Sequence, residues 1–362
     1  MATPAKESRQ PAMATPTEGP RQPTMTPELV LFPGPQIFSP VTTRSLMRNV
    51  LVALAPALVA GVVLFGLPAL VVIATSVVSC VVFEWLWCRL RRVPATTGDL
   101  SAAVTGALLA CCVPPTLPPY MVVVGAFIAV ILVKGLFGGI GRNFANPAVV
   151  GRIALSVAFP AAMTTYVAPQ VSLATPAGVD VVAGATVLAP SAAPLPTLAL
   201  LVGTQAGTIG ETSALAILLG LVWLLATRTI TWHVPVTYVA SLALFAWATG
   251  HDPVAQVLSG GLLLGAVFMA TDYATSPATA SGKVVFGVGL ALVTGLIRFW
   301  GNMNEGVAYA ILLMNLLVPY IDYLTAARPL GAPRRRGRLG RRVAARRAAA
   351  ASGTRQGGAR HE

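Results

Sequence analysis

Three short blocks place polar side chains inside an otherwise apolar chain. The first is "VKGLFGGIGRNFANPAVVGR", Val133 to Arg152. Asn143 and Asn146 stand just before Pro147, so their amides either hydrogen-bond a planar heterocycle such as a flavin ring or cap and brace a turn. The second is "MATDYATSPATASGK", Met269 to Lys283, where Asp272 is flanked by Thr271, Thr275 and Ser276. A carboxylate among hydroxyl oxygens suits Na⁺ or carries a proton; the alternative is an Asp that caps the next helix. Asp99 poses a related choice, an N-cap or part of an ion path. The third block is "DVVAGATVL", Asp180 to Leu188, in which Thr186 is the one hydroxyl. By its residues alone it is an ordinary flexible loop. Arg152, inside an apolar segment, requires a carboxylate, a phosphate or carbonyl partners. Glu211, in "GTIGETSALAI", is expected in the first turn of a helix, facing the positive end of its dipole. His233, His251 and His361 are scattered, and Cys80, Cys88, Cys111 and Cys112 lack metal-ligand spacing. Neither a metal centre nor a Ser-His-Asp hydrolase is indicated, and the cysteines read as buried free thiols.

The elements that position these blocks are membrane helices. Of 362 residues, 55% are hydrophobic and only 10% charged, against about 25% charged in a soluble domain. The apolar runs are unbroken and do not alternate, which excludes a β-barrel. The fold expected is an all-α polytopic membrane protein with about ten transmembrane helices in two five-helix halves, some of them broken. The spans fall near 46–66, 68–90, 99–113, 119–137, 146–160, 211–228, 234–250, 255–271, 283–300 and 305–325. The glycines Gly138, Gly139 and Gly141 break one helix, and unwound backbone at membrane depth survives only where protein buries it or a polar cavity lines it. The chain divides into a polar, disordered N-terminal arm (1–43), the first half (44–160), an external loop (161–210), the second half (211–326) and a basic tail (327–362). Eleven arginines from Arg328 to Arg360 hold most of the net charge of +13. No aromatic residues interleave with them, so the tail is read as facing anionic lipid headgroups and not nucleic acid. Arg89, Arg91, Arg92, Lys134, Arg142, Arg228 and Lys283 share the tail's side when both termini are cytoplasmic. The segment from Phe159 to Glu211, which holds no Lys or Arg, then lies outside, and Arg298 is the exception.

Taken together, "GGIGRNFANPAVVGR", "DVVAGATVL", "GTIGETSALAI", "ATDYATSP" and "EGVAYAILLMN" occur in the order seen in one family. Across residues 38 to 328 the chain resembles the RnfD component of the Rnf complex, which is similar to the NqrB component of the Na⁺-translocating NADH:quinone oxidoreductase. The resemblance implies a flavin mononucleotide joined through its phosphate to Thr186 by a flavin transferase, within a motif matched by Asp180, Gly184 and Ala185. Ala183 stands where the family pattern has Ser or Thr. It also implies a non-covalent riboflavin contacted by Asn143 and Asn146. The expected function is that of a membrane component of an ion-translocating electron transport complex in the bacterial cytoplasmic membrane, moving Na⁺ or H⁺ alongside partner subunits. The NqrB-type quinone-reductase component remains an alternative, as does a solute channel or transporter without redox chemistry, since broken helices and repeated halves suit that class too.

Overall fold

The computed structural model describes residues 41–94, 96–167, 169, 196–203, 205–301 and 306–326. Helix α1 (Thr43–Phe65) opens on a capping box: Ser45 N donates to Thr42 Oγ1, and Thr42 N donates to Ser45 Oγ, each at 3.2 Å. A single residue, Gly66 at φ 71°, turns the chain into α2 (Leu67–Arg91). A side chain at that φ would be strained, which suits glycine. After α3 (Ser101–Cys111) comes α4 (Pro119–Gly135), whose second part, Ile128–Gly135, is a π-helix. Then follow α5 (Pro147–Ala158), α6 (Pro160–Thr164) and α7 (Thr197–Val202). The second half holds α8 (Ala214–Ala226), α9 (His233–Ala248), α10 (Pro253–Leu258), α11 (Leu262–Leu264), α12 (Ala280–Trp300) and α13 (Val307–Thr325). A π-helical turn, Gly265–Met269, prolongs α11.

Among the described residues there is no strand, only an isolated bridge between Val167 and Gly207. Four helices, α1, α2, α12 and α13, are long and apolar enough to cross a membrane, and α3, α4, α5, α8 and α9 are shorter apolar helices. The molecule is a helical, multi-pass membrane protein. The expected span at 255–271 is not continuous: the chain breaks at Ser259–Gly261, with left-handed backbone at Gly260 and Gly261. The physical reason is glycine, which carries the turn at no steric cost.

Helix α1 packs against α8 and α3, α5 against α13, and α9 against α12. The α1–α8 contact depends on a small residue. A Cβ on Gly220 would lie 2.4 Å from Ala53 O, so only glycine lets the two backbones approach. Helix α2 buries Ala69, Val72, Ser76, Cys80, Glu84 and Cys88 and leaves Leu67, Leu70, Val78, Val82, Leu86 and Leu90 exposed. In water such a surface would drive aggregation; here it is the face offered to lipid. All four cysteines are buried free thiols.

Candidate functional site

The glycine-asparagine block begins where the π-helix ends. Gly139 N donates to Lys134 O at 2.9 Å, and Gly138, Gly139 and Gly141 all take positive φ, so the helix cannot continue. Pro147 then opens α5, and Asn146 is its N-cap, accepting from Ala148 N at 3.0 Å through Oδ1. The capping alternative for Asn146 is thus realised. The same amide reaches across the fold, Nδ2 donating to Met269 O at 3.4 Å. With its amide oriented to match its neighbours, Asn315 on α13 donates to Ile311 O at 3.2 Å and Thr275 O at 3.1 Å. Its oxygen accepts from Asn146 N at 3.2 Å. Two asparagines therefore tie α5, α13 and the 269–275 turn together. Asn143 differs: its Oδ1 is buried and has no hydrogen-bond partner among the described residues. Such a group costs about 1–3 kcal/mol unless something supplies a donor.

Asp272 lies in the turn that follows the second π-helical segment. Its Oδ2 accepts from Thr275 Oγ1 at 3.2 Å, while Thr271 Oγ1 donates back to Val267 O at 2.5 Å. Asp272 does not cap α12. That cap is Thr279, which accepts from Gly282 N at 3.0 Å. Tyr273 Oη donates to Thr229 O and pins the turn against the end of α8. Asn146, Thr271, Asp272 and Tyr273 share one cleft with Met47, Val104, Leu108, Leu224 and Phe268. The tertiary structure thus joins Asn146 and Asp272, from two blocks far apart in sequence, in one largely apolar cleft. The start of α5 meets the break after the second π-helical segment there, and π-helical turns recur at functional sites.

Asp99 belongs elsewhere. It ends a short 3₁₀ turn and accepts from Ser101 N at 2.8 Å and Ser101 Oγ at 2.5 Å, one residue ahead of Leu100, which holds the N-cap position of α3. Beyond Ser101 lies a group that the motifs in the sequence do not point to. Lys134 Nζ donates to Ser101 Oγ at 2.5 Å and forms an ion pair with Glu84 Oε1 at 2.6 Å, both side chains being 5% exposed. Thr96 Oγ1 donates to the same Glu84 oxygen at 2.8 Å. A signal for it exists nonetheless: an acid in one apolar run and a lysine in another are expensive in a membrane and call for each other.

Toward the other end of the helices, Arg298 is held by carbonyl oxygens. It donates to Gln256 O at 2.7 Å, Ser259 O at 3.2 Å and Gly260 O at 2.8 Å, satisfying the frayed end of α10. These contacts account for a cation at a position that the charge distribution left as an exception. Glu211 precedes its helix, which starts at Ala214 with Ser213 as the cap, and so it does not occupy the first turn as expected. Its Oε1 accepts from Thr208 N at 3.2 Å instead. Arg152 is buried nearby: a Cβ on Gly261 would lie 2.8 Å from Glu211 Oε2 and 4.0 Å from Arg152 Nη1. Asp180, Gly184, Ala185 and Thr186 lie outside the described residues, as do the N-terminal arm up to residue 40 and the basic tail. No group of three metal-ligating side chains forms among the described residues.

Comparison with known proteins gives this arrangement its context. The model of the NQR2, RnfD, RnfE family matches residues 30–331. The chain is 42% identical over 309 residues to the D-type component of the Na⁺-translocating ferredoxin:NAD⁺ oxidoreductase complex of Acetobacterium woodii, covering 84% of this chain and 95% of that one. It is 40% identical over 306 residues to the D-type component of the proton-translocating ferredoxin:NAD⁺ oxidoreductase complex of Clostridium ljungdahlii, covering 80% and 92%. The corresponding component of the ion-translocating oxidoreductase complex of Halorhodospira halophila is 38% identical, over 84% of this chain and 96% of its own. A multi-pass helical protein with a largely apolar cleft beside a helix break, matched along most of its length by components of ion-translocating oxidoreductase complexes, belongs to the NQR2, RnfD, RnfE family.

Proposed function

We propose that this chain is the flavin-bearing membrane component of an Rnf-type complex, coupling electron transfer between ferredoxin and NAD⁺ to ion movement. The observation that carries this reading is the cleft holding Asn146 and Asp272, seen in a chain whose relatives are components of such complexes. Two relatives of nearly equal identity are named for different ions, Na⁺ and protons. Overall similarity therefore does not choose the ion, and local oxygen ligands must.

The residues fit a riboflavin of the non-covalent kind. Asn143 offers a buried acceptor without a donor among the described residues, and the cleft at Asn146, about 50 Å³ and mostly aliphatic with a few polar groups, has room for the edge of a flavin ring and not for the whole of it. Asn146 contributes by fixing the start of α5, since its oxygen is used by Ala148 N. A bound flavin supplies electron transfer in one- or two-electron steps. Asp272, beside Thr271 and Thr275, is the group of this chain that holds Na⁺ or a proton next to the cleft. Thr186 is proposed as the ester acceptor for flavin mononucleotide, on the strength of "DVVAGATVL" and the family membership. Both termini are placed in the cytoplasm and 160–210 outside, on the distribution of Lys and Arg. The other proteins of the complex and a flavin transferase follow as partners.

The test is in-gel flavin fluorescence with mass spectrometry of the Phe159–Glu211 region, from cells that also make the transferase. Thr186→Ala should abolish covalent fluorescence while the chain still inserts and keeps its non-covalent flavin. An unmodified Thr186 in the parent chain would remove the covalent cofactor from this reading.

A further inference from the structure

A second cavity, of about 280 Å³, opens beside the Glu84–Lys134 pair. It is lined by Glu84, Trp87, Arg91, Thr96, Lys134 and Arg142, together with the glycines of the turn after α4. One water occupies about 30 Å³ of liquid volume, so the space suits a molecule with several heavy atoms.

Its charges are arranged unequally. Lys134 is matched by Glu84 at 2.6 Å and buried. Arg91 and Arg142 are exposed, and neither forms an ion pair among the described residues. Arg91 lies over Trp87, 5.8 Å from the ring centroid. Arg142 folds back over Gly138, where a Cβ would lie 3.0 Å from its Cδ. Two guanidinium groups free at the rim favour a phosphate, which they bind through paired donors. The floor carries the opposite feature. Glu84 is 4% exposed and its Oε2 has no hydrogen-bond partner among the described residues. A buried carboxylate oxygen calls for an N–H or O–H donor.

The surroundings indicate where such a ligand comes from. Trp85 and Trp87 sit in the last turns of α2 with Arg89 and Arg91 stacked over them. Tryptophan and arginine at a helix end mark the level of lipid headgroups. Leu86 and Leu90, at 49% and 74% exposed, continue the surface beside the cavity, and Leu136 and Phe137 are exposed at the end of α4. Acyl chains have an apolar path away from a headgroup seated there.

We propose that this cavity binds the headgroup of an aminophospholipid, its phosphate on Arg91 and Arg142 and its primary ammonium donating to Glu84. Phosphate and ammonium are joined through two carbons, so one molecule carries both groups into the one cavity that Arg91, Arg142 and Glu84 line. The site is distinct from the Asn146–Asp272 cleft and does not depend on the flavin reading.

The test uses the full chain in detergent and counts retained lipid by native mass spectrometry. Phosphatidylethanolamine, its N-monomethyl and N,N-dimethyl forms, phosphatidylcholine and phosphatidylglycerol with identical acyl chains are compared. Soluble phosphoethanolamine and inorganic phosphate serve as competitors. Phosphatidylethanolamine should be retained about tenfold over phosphatidylcholine, which keeps the phosphate but has no N–H. Retention should fall as methyl groups are added. The double variant Arg91→Gln, Arg142→Gln, with its four cysteines still protected from thiol reagents, should lose this preference. Equal retention of phosphatidylcholine, or greater retention of phosphatidylglycerol, overturns the ammonium contact. An undiminished preference in the arginine variant overturns the phosphate contact. Full displacement by phosphoethanolamine or phosphate at equal concentration shows a soluble anion site and overturns the lipid assignment.

Discussion

The Glu84–Lys134 pair provides the most quantitative test of the packing. Glu84→Leu removes the carboxylate that holds Lys134 at 2.6 Å and leaves the ammonium with Ser101 Oγ as its remaining partner. Both side chains are 5% exposed, so only water in the adjoining cavity can stand in for the lost partner. Breaking a buried pair from one side costs about 3–5 kcal/mol, because an uncompensated charge remains. Removing both charges, Glu84→Leu with Lys134→Met, substitutes apolar volume for a pair whose desolvation offsets much of its attraction. That double variant should stand within about 1–2 kcal/mol of the parent. The order of stability is therefore parent and double variant together, with the single variant well below. The chain carries its own reporters for the measurement: Cys80, Cys88, Cys111 and Cys112 are all buried, so a thiol-reactive dye follows thermal unfolding in detergent. At about 1.3 °C per kcal/mol for a chain of 362 residues, the single variant should melt at least about 4 °C lower. A double variant no more stable than the single one would refute the ion-pair account and show that Glu84 matters through its bond to Thr96 or through its shape.

Three further outcomes follow from the cleft and its neighbours. Asn143→Leu removes an acceptor that has no partner among the described residues, so it should lower non-covalent flavin and leave the melting point nearly unchanged; flavin content equal to the parent would sink the assignment. Asn146→Leu should behave in the opposite way, since loss of the N-cap alone costs about 0.5–2 kcal/mol and the link to Met269 goes with it; a parent-like melting point would show the cap to be dispensable. Asp272→Asn retains an oxygen for Thr275 and removes the charge, so ion movement coupled to electron flow in the assembled complex should fall while assembly and flavin content hold; normal coupling would reduce Asp272 to a turn residue.

The sequence by itself determined the class of the protein and the positions of its breaks. Apolar runs in a chain with 10% charged residues leave helices across a membrane as the solution that satisfies the backbone. Asn146 before Pro147 announced the start of α5, because the amide cap and the fixed proline φ are local properties. Gly138, Gly139 and Gly141 announced the end of α4 in the same way. The order of five motifs pointed to the family that comparison then showed. Partner choice was decided by the tertiary structure alone. Asp272 read equally well as a cap or a site, and only packing shows that Thr279 caps α12 while Asp272 lines the cleft with Asn146. The span expected at 255–271 was misjudged because hydropathy counts apolar residues and ignores a two-glycine turn, which Arg298 stabilises from α12. Glu84 went unremarked and Lys134 was read only as a charge on the cytoplasmic side, because a lone charge in an apolar run shows its cost but not its partner. The partner is set by how α2 and α4 lie against each other, and that contact arises from the packing of many small apolar residues whose order along the chain does not record it.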